Sequence, residues 1–279
     1  MDQDSELGRV LNLEAVELDM FRGRTPDRGD QKRIFGGQVV AQALTAAYRT
    51  VEGRVCHSLH SYFIRAGDPK IPILYQVERA RDGASFTTRR VTAIQHGRQI
   101  FNLSASFQTP EEGFGHQAAM PEVPPPDDLL NEEQLRAQNP RPRDDDRIPW
   151  PVELRPIDPQ PRRPTAPSKP VFSCWFRART DVGADPAINQ CVLAYASDMS
   201  LLDSSLRPHM VDWDNDRLQV ASLDHAVWFH RPCHFNDWHL YVQDSPSASG
   251  ARGFNRGAIY SQDGVLVASA AQEALIRMR

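Results

Sequence analysis

The sequence lacks most features that are typical of membrane proteins, disulfide-bonded proteins and nucleotide-binding proteins. It has no run of eighteen apolar residues, which argues against a membrane-spanning helix. Its four cysteines (Cys56, Cys174, Cys191, Cys233) are scattered without a C-x-x-C pair, so we expect reduced, buried thiols. A G-x-S-x-G elbow, a P-loop and a dinucleotide fingerprint are also absent, which disfavours those enzyme classes.

The chain also has a small net charge and no recognisable targeting signal. Its net charge is -4 and its pI is near 6.1, which argues against nucleic acid as the main partner. The first residues are acidic and polar, the reverse of a secretory leader, and the last three (Arg277-Met278-Arg279) do not form a peroxisomal signal. We therefore expect a cytoplasmic protein.

Metal-binding patterns are absent as well. No H-x-x-x-H pair lies on a predicted helix, and histidines at odd separations on a strand point to opposite faces of the sheet. We therefore expect no bound metal, and no motif calls for another cofactor.

Proline divides the chain into three parts. Fifteen of the 22 prolines lie between Pro110 and Pro170, an interval that excludes long helices and central strands. Only residues 127–138 within it are predicted to form a short helix. We therefore predict an N-terminal repeat (1–110), a proline-rich linker (111–170) and a C-terminal repeat (171–279).

The two flanking parts repeat one pattern. LHSYFIR (59–65) aligns with AVWFHR (226–231), so that Phe63 corresponds to Phe229 and Arg65 to Arg231, a shift of 166 residues. The same shift relates Tyr75 to Tyr241. The turns Gln95-His96-Gly97 and Gln262-Asp263-Gly264 align at a shift of 167. A near-constant shift through several strands indicates one folding unit used twice.

Each unit is predicted to have the same element order: a strand, a helix, and then three or four strands. The first strands are 10–18 and 171–179, and the helices are 39–50 and 199–206. The helix over 39–50 carries an apolar stripe, and 85–94 and 100–107 alternate as half-buried strands do. The Asp82-Gly83 and His96-Gly97 dipeptides are typical of hairpin turns. This order predicts an α+β fold, with one helix held against a curled antiparallel sheet in each repeat.

Six segments outside the linker carry the family signal, and they follow one another in a fixed order and spacing. They are FGGQVVAQAL (35–44), HSLHSYFIRAGDPKIPILYQVERARDGASF (57–86), YASDMSLL (195–202), LDHAVWFHRP (223–232), SASGARGFNRG (247–257) and QDGVLVASAAQEALIR (262–277). Together they resemble the acyl-CoA thioesterase II family, whose fold is a double hotdog. The resemblance covers nearly the whole chain outside the linker and implies a homo-oligomeric enzyme that hydrolyses acyl-CoA without a cofactor. It also implies catalytic roles for Asp198, Ser222 and Gln272.

These three residue types suit thioester hydrolysis. A thioester needs only an activated water and a donor for the developing oxyanion, because its thiolate leaves readily. Asp198 is predicted in the first turn of the second helix, whose dipole would keep it ionised, while Ser222 and Gln272 orient the carboxylate and the water. Backbone N–H groups at Gly36 and Gly37 are predicted to receive the carbonyl oxygen.

The repeat provides a second argument for a single site. We predict that Asp198, Ser222 and Gln272 take the positions of Gln38, Cys56 and Ala105 in the first repeat. A glutamine on an apolar strand face needs a buried polar partner, because leaving it unpaired costs about 1–3 kcal/mol. For the substrate-binding region we also name His60, although a satisfied strand histidine is the better account of it and of His225. Arg252 and Gly253 are named for a coenzyme A phosphate, and a glycine-rich bend explains this loop almost as well.

Two other functions stay open from the sequence. An acyl-CoA hydratase or dehydratase on the same fold would need a D-x-N-x-x-H run, but Met-Ser-Leu-Leu-Asp follows Asp198. A non-catalytic acyl-CoA-binding protein would bind without turnover. Measuring the products distinguishes the three functions, because water addition leaves the thioester intact.

Overall fold

The computed structural model describes residues 1–29, 31–138, 148–161, 164–211 and 215–279. Two of the helices in these ranges, α2 and α4, are long, and the others are short. None is long and apolar enough to cross a membrane. The helices are α1 (Glu6–Leu11), α2 (Gly36–Tyr48), α3 (Glu132–Gln138), α4 (Pro186–Ser197) and α5 (Asp203–Leu206).

The strands of the described ranges form one continuous antiparallel sheet. Its order is β1-β2-β4-β5-β6-β3-β10-β13-β12-β11-β8-β7, and β9 also pairs with β13. The strands are β1 (Glu14–Glu17), β2 (Met20–Gly23), β3 (Val55–Phe63), β4 (Ile73–Asp82), β5 (Phe86–Gln95), β6 (Arg98–Gln108), β7 (Val152–Pro156), β8 (Val171–Ala178), β9 (Leu218–Ser222), β10 (Asp224–Phe229), β11 (His239–Ser249), β12 (Arg252–Ser261) and β13 (Leu266–Met278).

The sheet order is symmetric about its centre. The run β4-β5-β6-β3 is followed by β10-β13-β12-β11, so each strand of the first repeat has a counterpart in the second. At the centre, His60 of β3 lies opposite Ala226 of β10, which is its own counterpart at the 166-residue shift. A pseudo-twofold axis therefore passes between these two residues, and the two repeats share one sheet.

A tight hairpin predicted from the sequence joins β5 to β6. His96 and Gly97 have φ values of 51° and 67°, and the flanking residues Gln95 and Arg98 are paired. Positive φ at both central residues matches the twist of the strands, and glycine adopts it without steric cost.

The sheet wraps around α2 and α4, which pack against each other at the centre of the core. From Gly37 to Ala47 every residue of α2 is buried, and α4 is buried from Asn189 to Ser197. Because both helices are buried on all sides, the fold encloses them completely, and their buried polar side chains, such as Gln42 and Asn189, are hydrogen-bonded. The predicted α+β arrangement of a helix within a curled sheet is confirmed for both repeats.

Two predicted elements are wrong. The long helix of the second repeat is α4, which ends at Ser197, whereas 199–206 contains only the short α5. Asp185 caps α4 by accepting a hydrogen bond from the N–H of Ala187, and Pro186 occupies the first turn, so the Asp-Pro pair was the start signal. The strand predicted over 10–18 is also too long, because Val10 and Leu11 belong to α1.

The proline-rich segment contributes to the sheet as well as joining the repeats. The helix predicted over 127–138 is a 3-10 turn (Pro126–Asp128) followed by α3. Strand β7 pairs with β8 at the edge of the sheet and ends at Pro156, a position where a missing N–H is tolerated. Residues 139–147 and 162–163 of the predicted linker lie outside the described residues.

Candidate active site

A cavity of about 590 Å³ opens where the two central helices meet the second repeat's strands. The N-terminal end of α2 and the C-terminal end of α4 form one side, and β9 and β13 form another. Trp150 and Leu154, from the proline-rich segment, also line it. The cavity contains three polar side chains predicted to be catalytic: Asp198, Ser222 and Gln272.

These three side chains form a continuous hydrogen-bonded row. Gln272 Nε2 donates to Ser222 Oγ at 2.8 Å, and Ser222 Oγ donates to Asp198 Oδ1 at 3.4 Å. Gln272 is 1% exposed and Asp198 is 9% exposed, so the row leads from the protein interior to the cavity wall. Because Ser222 Oγ accepts from the amide, its own proton is available to the carboxylate.

Asp198 lies at the C-terminal cap of α4, with its N–H bonded to the carbonyl of Ala196. The prediction that it occupies a first helical turn is therefore wrong, and so is its correspondence to Gln38 near the start of α2. A helix carries partial negative charge at its C-terminus, so α4 itself does not favour the carboxylate. The positive end that faces Asp198 belongs to α2: a Cβ added to Gly36 would lie 2.6 Å from Asp198 Oδ2.

The start of α2 presents backbone donors at this point. Phe35 precedes the helix in an extended conformation and, within the described ranges, no side chain caps the first turn. Such a helix start carries free N–H groups that favour an anion. Gly36 lines the cavity, whereas Gly37 lies against α4, where an added Cβ would be 2.2 Å from the carbonyl oxygen of Tyr195. Gly37 thus lets the two helices pack closely, and the binding role of both glycines stays a prediction.

The remaining predicted binding residues lie away from this cavity. His60 is exposed on β3, and its ring contacts Trp228 at 5.1 Å between centroids. Arg252 pairs with Glu273 at 2.8 Å and borders a separate cavity of about 250 Å³. At Gly253 an added Cβ would lie 2.5 Å from Ser205, so glycine is needed there for α5 to pack on β12. Their roles in substrate binding stay predictions.

His225 and Ser197 lie behind Gln272; the sequence favours a structural role for His225 and assigns no role to Ser197. His225 is fully buried, with Nδ1 2.6 Å from Gln272 Oε1 and Nε2 2.8 Å from Ser197 Oγ. A signal for His225 was present in the repeat. At the 166-residue shift it corresponds to Leu59, so an ionisable side chain replaces an apolar one at a core position.

Other charged groups line the cavity in addition to Asp198. Burial, with a smaller contribution from the nearby Glu132, raises the pKa of the Asp203 carboxyl to about 7. Arg33 and Arg65 are the cations among the lining residues, and both are exposed at the rim. Within the described part of the chain, no group of three or more His, Cys, Asp or Glu side chains is arranged to hold a metal ion.

Comparison with known proteins assigns the chain to a family. Residues 25–108 match the model of the acyl-CoA thioesterase N-terminal domain, and residues 146–275 match the acyl-CoA thioesterase model. Human acyl-coenzyme A thioesterase 8 is 45% identical over 97% of this chain and 88% of its own length, and acyl-CoA thioesterase 2 of Haemophilus influenzae is 41% identical over 98% and 97%. The crystal structure of acyl-CoA thioesterase II TesB2 from Mycobacterium marinum superposes with a TM-score of 0.81 at 41% identity, covering 98% of each chain. A hotdog-fold protein from Alicyclobacillus acidocaldarius gives a TM-score of 0.79 at 20% identity over 98% of each chain, which confirms the predicted double hotdog fold. This chain belongs to the acyl-CoA thioesterase family.

Proposed function

We propose that this protein hydrolyses acyl-CoA to a free fatty acid and coenzyme A, with a water molecule activated at Asp198. The observation that carries the proposal is the hydrogen-bonded row in which Gln272 donates to Ser222 and Ser222 donates to Asp198. The row ends at the wall of a cavity large enough for a substrate, and the family relationship supplies the substrate class.

In the reaction, Asp198 takes a proton from water as the water oxygen attacks the thioester carbonyl carbon. The negative charge that develops on the carbonyl oxygen meets the free N–H groups at the start of α2, beside Gly36. When the intermediate collapses, the carbon–sulfur bond breaks and the thiolate of coenzyme A leaves. The proton held by Asp198 passes to that sulfur, which restores the carboxylate and leaves the fatty acid and the thiol.

The acyl chain and the coenzyme A phosphates of the substrate need different surroundings, one apolar and one positively charged. Apolar side chains including Phe63, Phe101 and Leu202 line the cavity and suit an acyl chain. The phosphates of coenzyme A carry several negative charges, and Arg33 and Arg65 supply positive charge at the exposed rim. We therefore propose that the acyl chain enters the cavity while the phosphates stay at this rim.

A hydratase or dehydratase is the weaker alternative. Such chemistry needs a histidine paired with an acid and facing the acyl chain, but among the described lining residues of this cavity there is no histidine. His225 is fully buried and its ring nitrogens are engaged by Gln272 and Ser197, so it faces away from the substrate space.

The test is steady-state hydrolysis of an acyl-CoA chain-length series, with release of coenzyme A followed by a thiol-trapping dye. We expect Asp198→Asn to lower kcat by about 10³-fold, because the general base is lost. Asp203→Asn is the matched control: it removes another carboxylate of the same cavity that is not joined to Ser222, and we expect it to keep kcat within severalfold of the parent. If Asp198→Asn hydrolysed as fast as the parent, or if Asp203→Asn alone lost activity, the assignment of the base would be wrong.

Two finer predictions go with this function. We propose a cytoplasmic location and a homo-oligomeric assembly, as expected from the sequence and from the tendency of hotdog sheets to associate. Light scattering of the purified protein measures the assembly directly. A monomer at micromolar concentration would contradict the second prediction and leave the proposed chemistry unaffected.

A further inference from the structure

The side chain of Gln272 has to be held in one orientation for the row to work. An amide can turn over and exchange its oxygen and nitrogen, and only one orientation directs Nε2 toward Ser222. If the amide turned over, Ser222 would donate its proton to Gln272 Oε1, and Asp198 would lose its donor. Some group must therefore fix the amide from behind.

His225 occupies the position that can do this. Its Nδ1 lies 2.6 Å from Gln272 Oε1, and its Nε2 lies 2.8 Å from Ser197 Oγ. Because a carbonyl oxygen only accepts, this contact requires a proton on Nδ1. A neutral ring with Nδ1–H accepts from Ser197, and a doubly protonated ring donates to Ser197, whose hydroxyl then donates to the carbonyl of Ala194 at 3.0 Å. Both states carry Nδ1–H and so give the same orientation of Gln272.

The first repeat shows that the fold does not need a histidine here. In the first repeat, Leu59 of β3 lies opposite Ala105 of β6. In the second, the register that pairs Ala226 with Ala271 puts His225 opposite Gln272. Leu59 and His225 are both fully buried. An apolar pair fills this position in one copy and a polar pair fills it in the other, and burying polar groups has a cost that an apolar pair avoids.

We propose that His225 is a positioning residue of the active site. Through Nδ1–H it fixes the amide of Gln272, which leaves the proton of Ser222 to Asp198. The proposal rests on the proposed hydrolysis at Asp198 and adds a residue that does not touch substrate. Its effect is therefore on kcat, with substrate binding left unchanged.

The test compares three substitutions of His225 by steady-state kinetics, with thermal unfolding as a check on folding. His225→Leu introduces the residue of the first repeat, His225→Asn keeps an N–H donor near the position of Nδ1, and His225→Gln moves the donor toward the position of Nε2. We expect the Leu and Gln variants to lower kcat about tenfold to a hundredfold with KM within about twofold, as expected for a buried amide left unpaired. The Asn variant should retain kcat within about threefold of the parent.

Equal activity of all three variants and the parent, or an Asn variant as slow as the Leu variant, would overturn the proposal. The ¹⁵N spectrum of histidine-labelled parent protein is a second readout that needs no variant: a proton on Nδ1 of His225 is expected, and a neutral ring protonated only at Nε2 would refute the proposal. Asp198→Asn is measured alongside. If that variant is active the proposed function fails at its base, whereas fast His225 variants beside an inactive Asp198→Asn reject the positioning role alone.

Discussion

The pseudo-twofold axis relates the candidate active-site cavity to a second cavity of similar volume, and the two differ in their side chains. The second cavity, of about 510 Å³, lies between the C-terminal end of α2 and the N-terminal end of α4, with Tyr48 and Pro186 in its wall. The first lies between the opposite ends of the same helices. The fold thus forms a cavity at each end of the helix pair, and the side chains at the two ends differ.

At the second cavity the corresponding side chains cannot activate water. Tyr48 stands at the end of α2, where its hydroxyl accepts from the N–H of Cys56 at 2.8 Å and donates to Gln190. Cys56 corresponds to Ser222, but burial raises the pKa of its thiol well above the usual range, so it stays protonated. Ala105 stands in place of Gln272. Asp185 also lines this cavity, but its carboxylate accepts from the N–H of Ala187 at the start of α4, so among the described residues no row of side-chain donors leads to it.

The largest effect on kcat in this comparison is expected from substitutions at the first residues of α2 and α4. Gly36 begins α2 beside Asp198, and Pro186 begins α4 at the second cavity. In Gly36→Ala the new methyl group would lie 2.6 Å from Asp198 Oδ2 and would displace the carboxylate. We expect kcat to fall about tenfold to a hundredfold, because small displacements of catalytic groups are costly, and steady-state hydrolysis measures it.

Pro186→Ala is the matched control for this change. It alters the first turn of the other helix at the cavity without catalytic groups, so kcat should stay within about twofold of the parent. Unfolding curves for both variants separate loss of activity from loss of fold. Comparable losses of kcat in the two variants would mean that the two helix starts are not functionally different.

The repeat and its equivalent strands could be predicted from the sequence, but the position of the second helix relative to Asp198 could not. The 166-residue shift identified the equivalent strands correctly, because strand alternation and turn glycines are local signals. The helix positions were not identified correctly, so Asp198 was aligned with the wrong end of α2. The start signal of α4 is Asp185-Pro186, and α4 ends just before Asp198. Which helix end faces Asp198 is a long-range property set by the packing of α2 on α4. The sequence favours a structural role for His225 for a similar reason, since its contact with Gln272 joins residues on separate strands.

The two arginines at the cavity rim lead to a prediction about substrate binding, with an expected effect of intermediate size. Arg65 lines this cavity and its counterpart Arg231 does not, although each donates to a strand carbonyl, Arg65 to Gln99 at 2.6 Å and Arg231 to Leu266 at 2.9 Å. We expect the double variant Arg33→Ala/Arg65→Ala to raise KM for acyl-CoA about tenfold with little change in kcat, because it removes charge that binds phosphate. The effect should shrink as ionic strength rises.

Arg231→Ala and Arg252→Ala test the specificity of this effect. We expect neither to change KM more than about twofold, since Arg231 does not line the cavity and Arg252 pairs with Glu273 at another cavity. A tenfold rise of KM in Arg252→Ala, without one in the rim variant, would place the coenzyme A phosphates at the glycine-rich bend, as the sequence first indicated.

The smallest predicted effect concerns two buried tyrosines related by the same shift. Tyr75 donates to Gln42 Oε1 at 2.7 Å, and Tyr241 donates to the carbonyl oxygen of Ser197 at 2.8 Å. Replacing either by phenylalanine leaves one buried acceptor unpaired, so each variant should lose about 1 kcal/mol of unfolding free energy. Denaturant unfolding of the two variants measures this loss.

Activity should separate these two variants although stability does not. Ser197 directly precedes Asp198, and its hydroxyl contacts His225, so Tyr241→Phe loosens the backbone that carries the base. We expect kcat to fall about threefold in Tyr241→Phe and to stay unchanged in Tyr75→Phe, whose hydroxyl bonds within the first repeat. Equal kcat in the two variants would mean that α4 holds Asp198 without help from Tyr241. The difference between the repeats would then be confined to the side chains that line the cavity and to His225 behind them.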